Sequence, residues 1–211
     1  MRPGLVFSAA LSLTGIGPHV AASQDPWRLS ANELVAVFVR ELDSAPSAMA
    51  WQTLAAEVRR PRSQARTDSI LRALLPIAKD NGRPRAQQEA IALLGWGASH
   101  ITPAPRAWVA QALVALYWDL DQTRPVARAT ALDAFAQLAD TGLGQAMLRR
   151  VLTLEGLTRR EREAAARAAL RSPRGQALLR DLDRSDAIRD PWVRALVKWW
   201  LERREGRQPP A

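Results

Sequence analysis

Two groups of carboxylates are the residues in this sequence best suited to chemistry: Asp119 with Asp121, and Asp181 with Asp183 and Asp186. Paired carboxylates divide acid and base work in glycoside hydrolysis, and grouped ones collect Ca²⁺. Neither group has the glycine at a sharp turn, or the distal bidentate Glu, that a calcium loop requires. The 119/121 pair recurs as 181/183, 62 residues on, which fits turn residues of a repeating architecture better than a site made once. Histidine is confined to His19 and His100, and there is no cysteine. Thiolate nucleophiles, disulfides, zinc fingers and iron–sulfur ligation are thereby removed. His100, in the stretch 99–103, reads as a loop residue. No phosphate-binding glycine loop, GxGxxG or HExxH occurs. These residues point away from an enzyme, a metal and any cofactor, and no small-molecule substrate is evident.

Cations and tryptophans are the other conspicuous residues. The 211-residue chain carries 30 Lys+Arg against 21 Asp+Glu, a formal charge of +9. Only Lys79 and Lys198 are lysines. Basic side chains concentrate in residues 58–85 and 147–180. A field of that sign attracts acidic proteins, phosphate polymers or anionic head groups. On a helix over 158–171, Arg160, Arg167 and Arg171 fall opposite Ala165 and Ala169 and should face solvent. An arginine-rich, lysine-poor helical surface is also what a GC-rich genome writes, and Glu163 with Arg167 makes an i,i+4 pair that needs no partner. There are eight Trp but one Tyr and three Phe. Most are expected to pack in the core. Trp199 is the better candidate for an exposed anchor, because Trp200 takes the core position beside it.

Those side chains must be carried by helices. Apolar residues make up 47% of the chain, a globular composition, and β-branched alternation is missing. Breaks at 43–47, 60–65, 81–84, 95–105, 122–125, 140–144, 155–158, 172–174 and 183–191 separate ten helices, or five hairpins. Ser30 with Glu33 has capping-box spacing, and Pro84, Pro125 and Pro191 sit where a first helical turn tolerates proline. Residues 83–90 recur at 124–131. The Arg128-x-x-Ala131 pattern recurs as Arg162-x-x-Ala165. Gly144-Gln-Ala-Met-Leu-Arg149 recurs as Gly175-Gln-Ala-Leu-Leu-Arg180. Offsets of 31 to 41 are the length of one two-helix unit, so an array is expected in which neighbouring hairpins bury each other's apolar faces.

Residues 1–22 differ from the rest. Arg2, a mostly apolar run over 5–17, Pro18 and then Val20, Ala21 and Ala22 follow the order of a secretory signal. The run is too short for a bilayer, which needs about 20 residues. The competing reading is an apolar first helix that packs on the domain, or a misassigned start codon. The chain is thus divided into a signal over 1–22, a leader over 23–29, a helical domain over 30–204 and a frayed tail over 205–211. Cleavage would place the protein in the periplasm or outside the cell. Without it the chain is cytoplasmic.

The stretch from Leu116 to Phe135, with an outer helix ending in an Asp-rich turn and an inner helix opening on Arg, resembles the HEAT repeat, in particular its short, phycobilin-lyase-related variety. The resemblance covers roughly residues 30–204 and is weakest over 30–66. It implies an all-α solenoid of about five stacked hairpins, with Asp121, Arg128, Arg162 and Asp183 as a structural turn ladder. It also implies a non-enzymatic scaffold that holds an unidentified protein partner, with Arg160, Arg167, Arg171 and Trp199 as candidate contacts. Nucleic acid or an anionic membrane surface are the other partners such a surface fits. Some HEAT-like proteins are DNA glycosylases with a basic concave face, but no motif specific to them is present here, and an export signal would contradict that role.

Overall fold

Alanine and leucine fill the chain between its Pro, Gly and Asp breaks, and the computed structural model folds these stretches into helices. It describes residues 25–44, 49–100, 103–120 and 125–205, and no strand occurs among them. In chain order the helices are α1 (Ala31–Ser44), α2 (Met49–Arg59), α3 (Gln64–Lys79), α4 (Pro84–His100), α5 (Pro103–Asp119), α6 (Pro125–Phe135), α7 (Gly142–Thr153), α8 (Arg159–Leu170), α9 (Pro173–Arg184) and α10 (Pro191–Glu205). One 3-10 turn, Pro26–Arg28, precedes α1, and another, Ala136–Leu138, extends α6.

Each odd helix pairs with the even helix that follows it, and each helix also packs on the one two places along. The five hairpins therefore stack as two layers, α1-α3-α5-α7-α9 and α2-α4-α6-α8-α10. The fold is all-α and solenoid-like. A continuous apolar core runs between the layers, through Phe38, Leu54, Leu71, Leu94, Phe135 and Leu179. The last helix buries Val193, Val197 and Leu201 and turns Lys198 and Glu202 outward, so the array ends on a polar surface.

Local chemistry sets the helix starts. The Ser30 backbone N–H donates to Glu33 Oε2 at 2.9 Å, and the Glu33 N–H returns a bond to Ser30 Oγ at 3.3 Å. Thr141 and Ser172 cap α7 and α9 by accepting from the N–H groups of Gly144 and Gly175, both at 3.0 Å. Pro84, Pro125 and Pro191 occupy first helical positions, where no N–H is required.

The expected break over 95–105 is narrower than the glycines suggested. α4 continues through Gly95 and Gly97 to His100, which ends that helix and does not sit in a loop, and α5 begins at Pro103. The glycines serve packing. A Cβ on Gly95 would lie 2.6 Å from Ala134 Cβ of α6, and one on Gly97 would lie 2.6 Å from Leu71 Cδ2 of α3. Even helices thus meet through Gly and Ala, with α8 buried on Ala164, Ala165, Ala168 and Ala169. Odd helices meet through larger side chains, with Trp108 of α5 donating to Asp68 of α3 at 2.6 Å and Arg150 of α7 lying over Trp118 of α5.

Candidate functional site

Four even helices share one register. Counting from the first residue of α4, α6, α8 and α10, the fourth positions are Gln87, Arg128, Arg162 and Arg194. Each reaches back to the end of the preceding odd helix or to the turn that follows it. Gln87 Nε2 donates to Asn81 Oδ1 at 3.0 Å. Arg128 Nη1 donates to the Leu120 carbonyl at 3.0 Å. Arg162 Nη2 donates to the Leu154 carbonyl at 2.8 Å. Arg194 Nη2 donates to the Ile188 carbonyl at 2.7 Å. The Arg128 and Arg162 bonds satisfy carbonyls directly past a helix end, whereas Gln87 meets a side-chain oxygen and Arg194 a carbonyl of the turn after α9.

Among the described residues, Arg128 and Arg162 are rungs against backbone carbonyls, and no acidic turn residue meets them. Asp121 lies outside the described residues. Asp183 sits in the last turn of α9, half-buried, with its carbonyl accepting from the Asp186 N–H at 3.1 Å. The acid that Arg128 does meet is Glu161 of α8. Arg128 Nε donates to Glu161 Oε1 at 2.6 Å, and the Tyr117 hydroxyl donates to the same oxygen at 2.9 Å. The other oxygen, Oε2, accepts from the Thr158 N–H at 2.8 Å and its hydroxyl at 2.7 Å. Arg128 is 2% exposed and Glu161 4%. Burial by itself would raise the Glu161 carboxyl, but the bonds from Thr158, Arg128 and Tyr117 outweigh it and hold the group below its ordinary range. Tyr117 is pushed up by burial and by the adjoining carboxylate. The set is charged but sealed from solvent, so it clamps α5, α6 and α8 together and is out of a substrate's reach.

Among the odd helices the first residues of the acidic groups are occupied. Asp119 takes Lys79 Nζ of α3 at 3.2 Å, and Asp181 takes Arg149 Nη2 of α7 at 2.6 Å. Asp186 pairs with Arg194. Much of the arginine and tryptophan excess is likewise absorbed by mutual stacking. Arginines lie over Trp27, Trp96, Trp108, Trp118, Trp192 and Trp199, at 3.8 to 5.4 Å from the ring centres. Globular proteins average about one such contact per 70–80 residues, so six on tryptophan alone is an enrichment that explains why the two residue types rise together. Trp108 also donates to Asp68 at 2.6 Å, and Trp51 to Glu89 at 2.8 Å.

The open side of the even row carries what remains. Second positions are Arg85, Val126, Arg160 and Trp192. Ninth positions are Ala92, Asp133, Arg167 and Trp199. Thirteenth positions are Trp96, Gln137, Arg171 and Arg203. All twelve are exposed or half-buried. Positions 2, 9 and 13 fall on one helical face, opposite the fourth position, which is buried in α4, α6 and α8 and half-buried in α10. The candidate contacts Arg160, Arg167 and Arg171 thus form one stripe of α8, and Trp199 occupies the matching place on α10. Arg167 leans on Glu163 at 3.5 Å, and Arg171 approaches Asp133 of α6 at 4.0 Å. Trp192, at 44% exposed, and Trp199, at 48%, extend the stripe onto α10. Arg159 ties the two helices, reaching Asp190 at 3.5 Å and the Trp192 ring at 5.4 Å.

A groove of about 520 Å³ lies elsewhere, between α1 and α3, over Val35, Val39, Ala73, Pro76 and Ile77. It holds no acid–base pair. No described helix is long and apolar enough to cross a membrane. Compared with family models, with curated proteins and with solved structures, the chain finds no match.

Proposed function

We propose that this chain is a non-enzymatic docking scaffold of the HEAT-like type that holds a protein partner on its even-helix face. The observation that carries the reading is the continuous exposed face of α8 and α10, where Arg160, Arg167 and Arg171 lie in register with Trp192 and Trp199. Tryptophan and arginine are the side chains most enriched among residues that dominate binding energy. Helices locked by buried rungs present them with little ordering cost. The HEAT-like assignment is supported by the hairpin stack and by the repeated inner-helix arginine reaching the end of the outer helix. The sealed Tyr117–Arg128–Glu161 set supports a structural use of the ionisable groups and no reaction. Export is supported by residues 1–22 of the sequence, and an intact mass lacking that segment is the expected result.

A photo-crosslinking side chain at Trp199 or Arg167, expressed in the native host, should yield discrete protein adducts. The same group at Leu143, exposed on α7 of the odd row, should yield none. Equal labelling from both faces, or none from either, would sink the scaffold reading.

The alternative is nucleic-acid binding. It is favoured by the arginine stripe together with the parallel N-termini of α4, α6, α8 and α10, which set their positive dipole ends along one edge. It demands retention of residues 1–22 and a steep fall of DNA affinity with salt.

A further inference from the structure

We propose that the α8–α10 end of this face recognises an acidic polypeptide segment whose carboxylates alternate with apolar side chains. The inference rests on the docking reading and adds the chemistry of the partner. Arg160, Arg167 and Arg171 supply guanidinium groups along α8, and Trp192 and Trp199 supply half-exposed rings on the adjoining flank. Arg160 has no hydrogen-bond or ion-pair partner among the described residues. The pairs Arg167–Glu163 and Arg171–Asp133, at 3.5 and 4.0 Å, are exposed and weak, so an incoming carboxylate can share or replace them. Arginine's fork accepts a carboxylate through two parallel bonds, which favours it over lysine for this purpose.

The same two acids argue against a phosphate polymer. Duplex DNA presents one negative charge per about 1.7 Å of axis, so a strand laid along the stripe would bring phosphates against Glu163 and Asp133. A polypeptide can place its carboxylates over the arginines only and leave apolar side chains for the rings. From Arg160 to Arg171 the stripe runs about 16 Å, the reach of roughly five extended residues or three helical turns.

The test uses the intact chain and a fluorescent peptide of about twelve residues in which Glu alternates with Leu and Phe, read by anisotropy. Companion probes are the same peptide with Gln for Glu, one with Lys for Glu, a single-stranded oligonucleotide, duplex DNA and phosphatidylglycerol vesicles. The Glu peptide should bind most tightly, and the double variant R160E/R167E should lose about tenfold or more in affinity and gain affinity for the Lys peptide. W192A/W199A should lose about fivefold, and R184E on α9 should change little. Far-UV circular dichroism and Tm verify that each variant is folded, which is expected for exposed positions. Equal binding of the Gln peptide, insensitivity to R160E/R167E, or tighter capture of DNA or vesicles by the same residues would each overturn the proposal. If the peptide fails while protein crosslinks from position 199 persist, the acidic chemistry falls and the docking face stands. If both fail, the docking reading falls with it.

Discussion

Arg128 and Glu161 place opposite charges 2.6 Å apart where neither has access to water, and the consequences of breaking the pair are asymmetric. Truncating one member leaves the other charged, buried and unmatched, at a cost of about 3–5 kcal/mol. Glu161→Ala should therefore lower Tm by roughly 10 °C. The double replacement Arg128→Met with Glu161→Leu should recover much of that loss, because an apolar pair carries no desolvation penalty. Both are measured by thermal unfolding, and a double variant no better than the single would refute the account. The folded Glu161 carboxyl titrates below its ordinary value near 4.5. Its contribution is complete above about pH 5 and is lost as pH falls through 4.5 toward the folded value. Denaturant midpoints should thus fall less steeply below pH 5 in Glu161→Gln than in the native chain. Half of this arrangement is legible in the sequence, since Thr158-x-x-Glu161 has capping-box spacing. The other half is not. Tyr117 and Arg128 come from 44 and 33 residues away, and only the stacking of α5, α6 and α8 delivers them.

Helix ends decide how closely the layers meet. In the recurring Gly-Gln-Ala motif, a Cβ on Gly144 would overlap the Leu138 carbonyl, and one on Gly175 would overlap the Ala169 carbonyl. Leu138 closes the 3-10 turn that extends α6 and Ala169 lies one residue before the end of α8, and in both units the glycine lies three residues past the capping Thr141 or Ser172. The repetition read from letters is thus a repetition of one joint. Gly175→Ala should cost about 2 kcal/mol and lower Tm by roughly 5 °C, the price of moving α9 off its neighbour. Gly142→Ala, with nothing within 4 Å of the added methyl, should be nearly neutral. Equal effects at the two sites would mean that helix preference, and not the close approach, sets the loss. Gly95 shows where letters mislead. Its composition reads as a break, yet the residue lies inside α4, because the small side is needed against Ala134.

At the scale of the molecule, the described hairpins pack chiefly on their neighbours, so stability is spread along the stack and is lowest where a neighbour is missing. Amide hydrogen exchange should be slowest in α4, α6 and α8 and faster in α1 and α10. A uniform rate through all ten helices would indicate one cooperative core in place of an array. The docking face is a product of this scale. Arg159 and Trp192 are not related by any local spacing, and they become neighbours because α8 and α10 lie side by side in the same layer.

Sequence alone determined the helical class, most helix starts and the two-helix period, because capping, proline placement and apolar spacing act within a turn or two of chain. It also determined that no thiol and almost no imidazole is available for catalysis. Tertiary structure decided which charges are buried, which acids Arg128 and Arg171 meet, and that Trp192 and Trp199 stay exposed even with an arginine over each ring. Those outcomes depend on distances between helices more than 30 residues apart, and those distances are set by the Gly and Ala contacts of the even row.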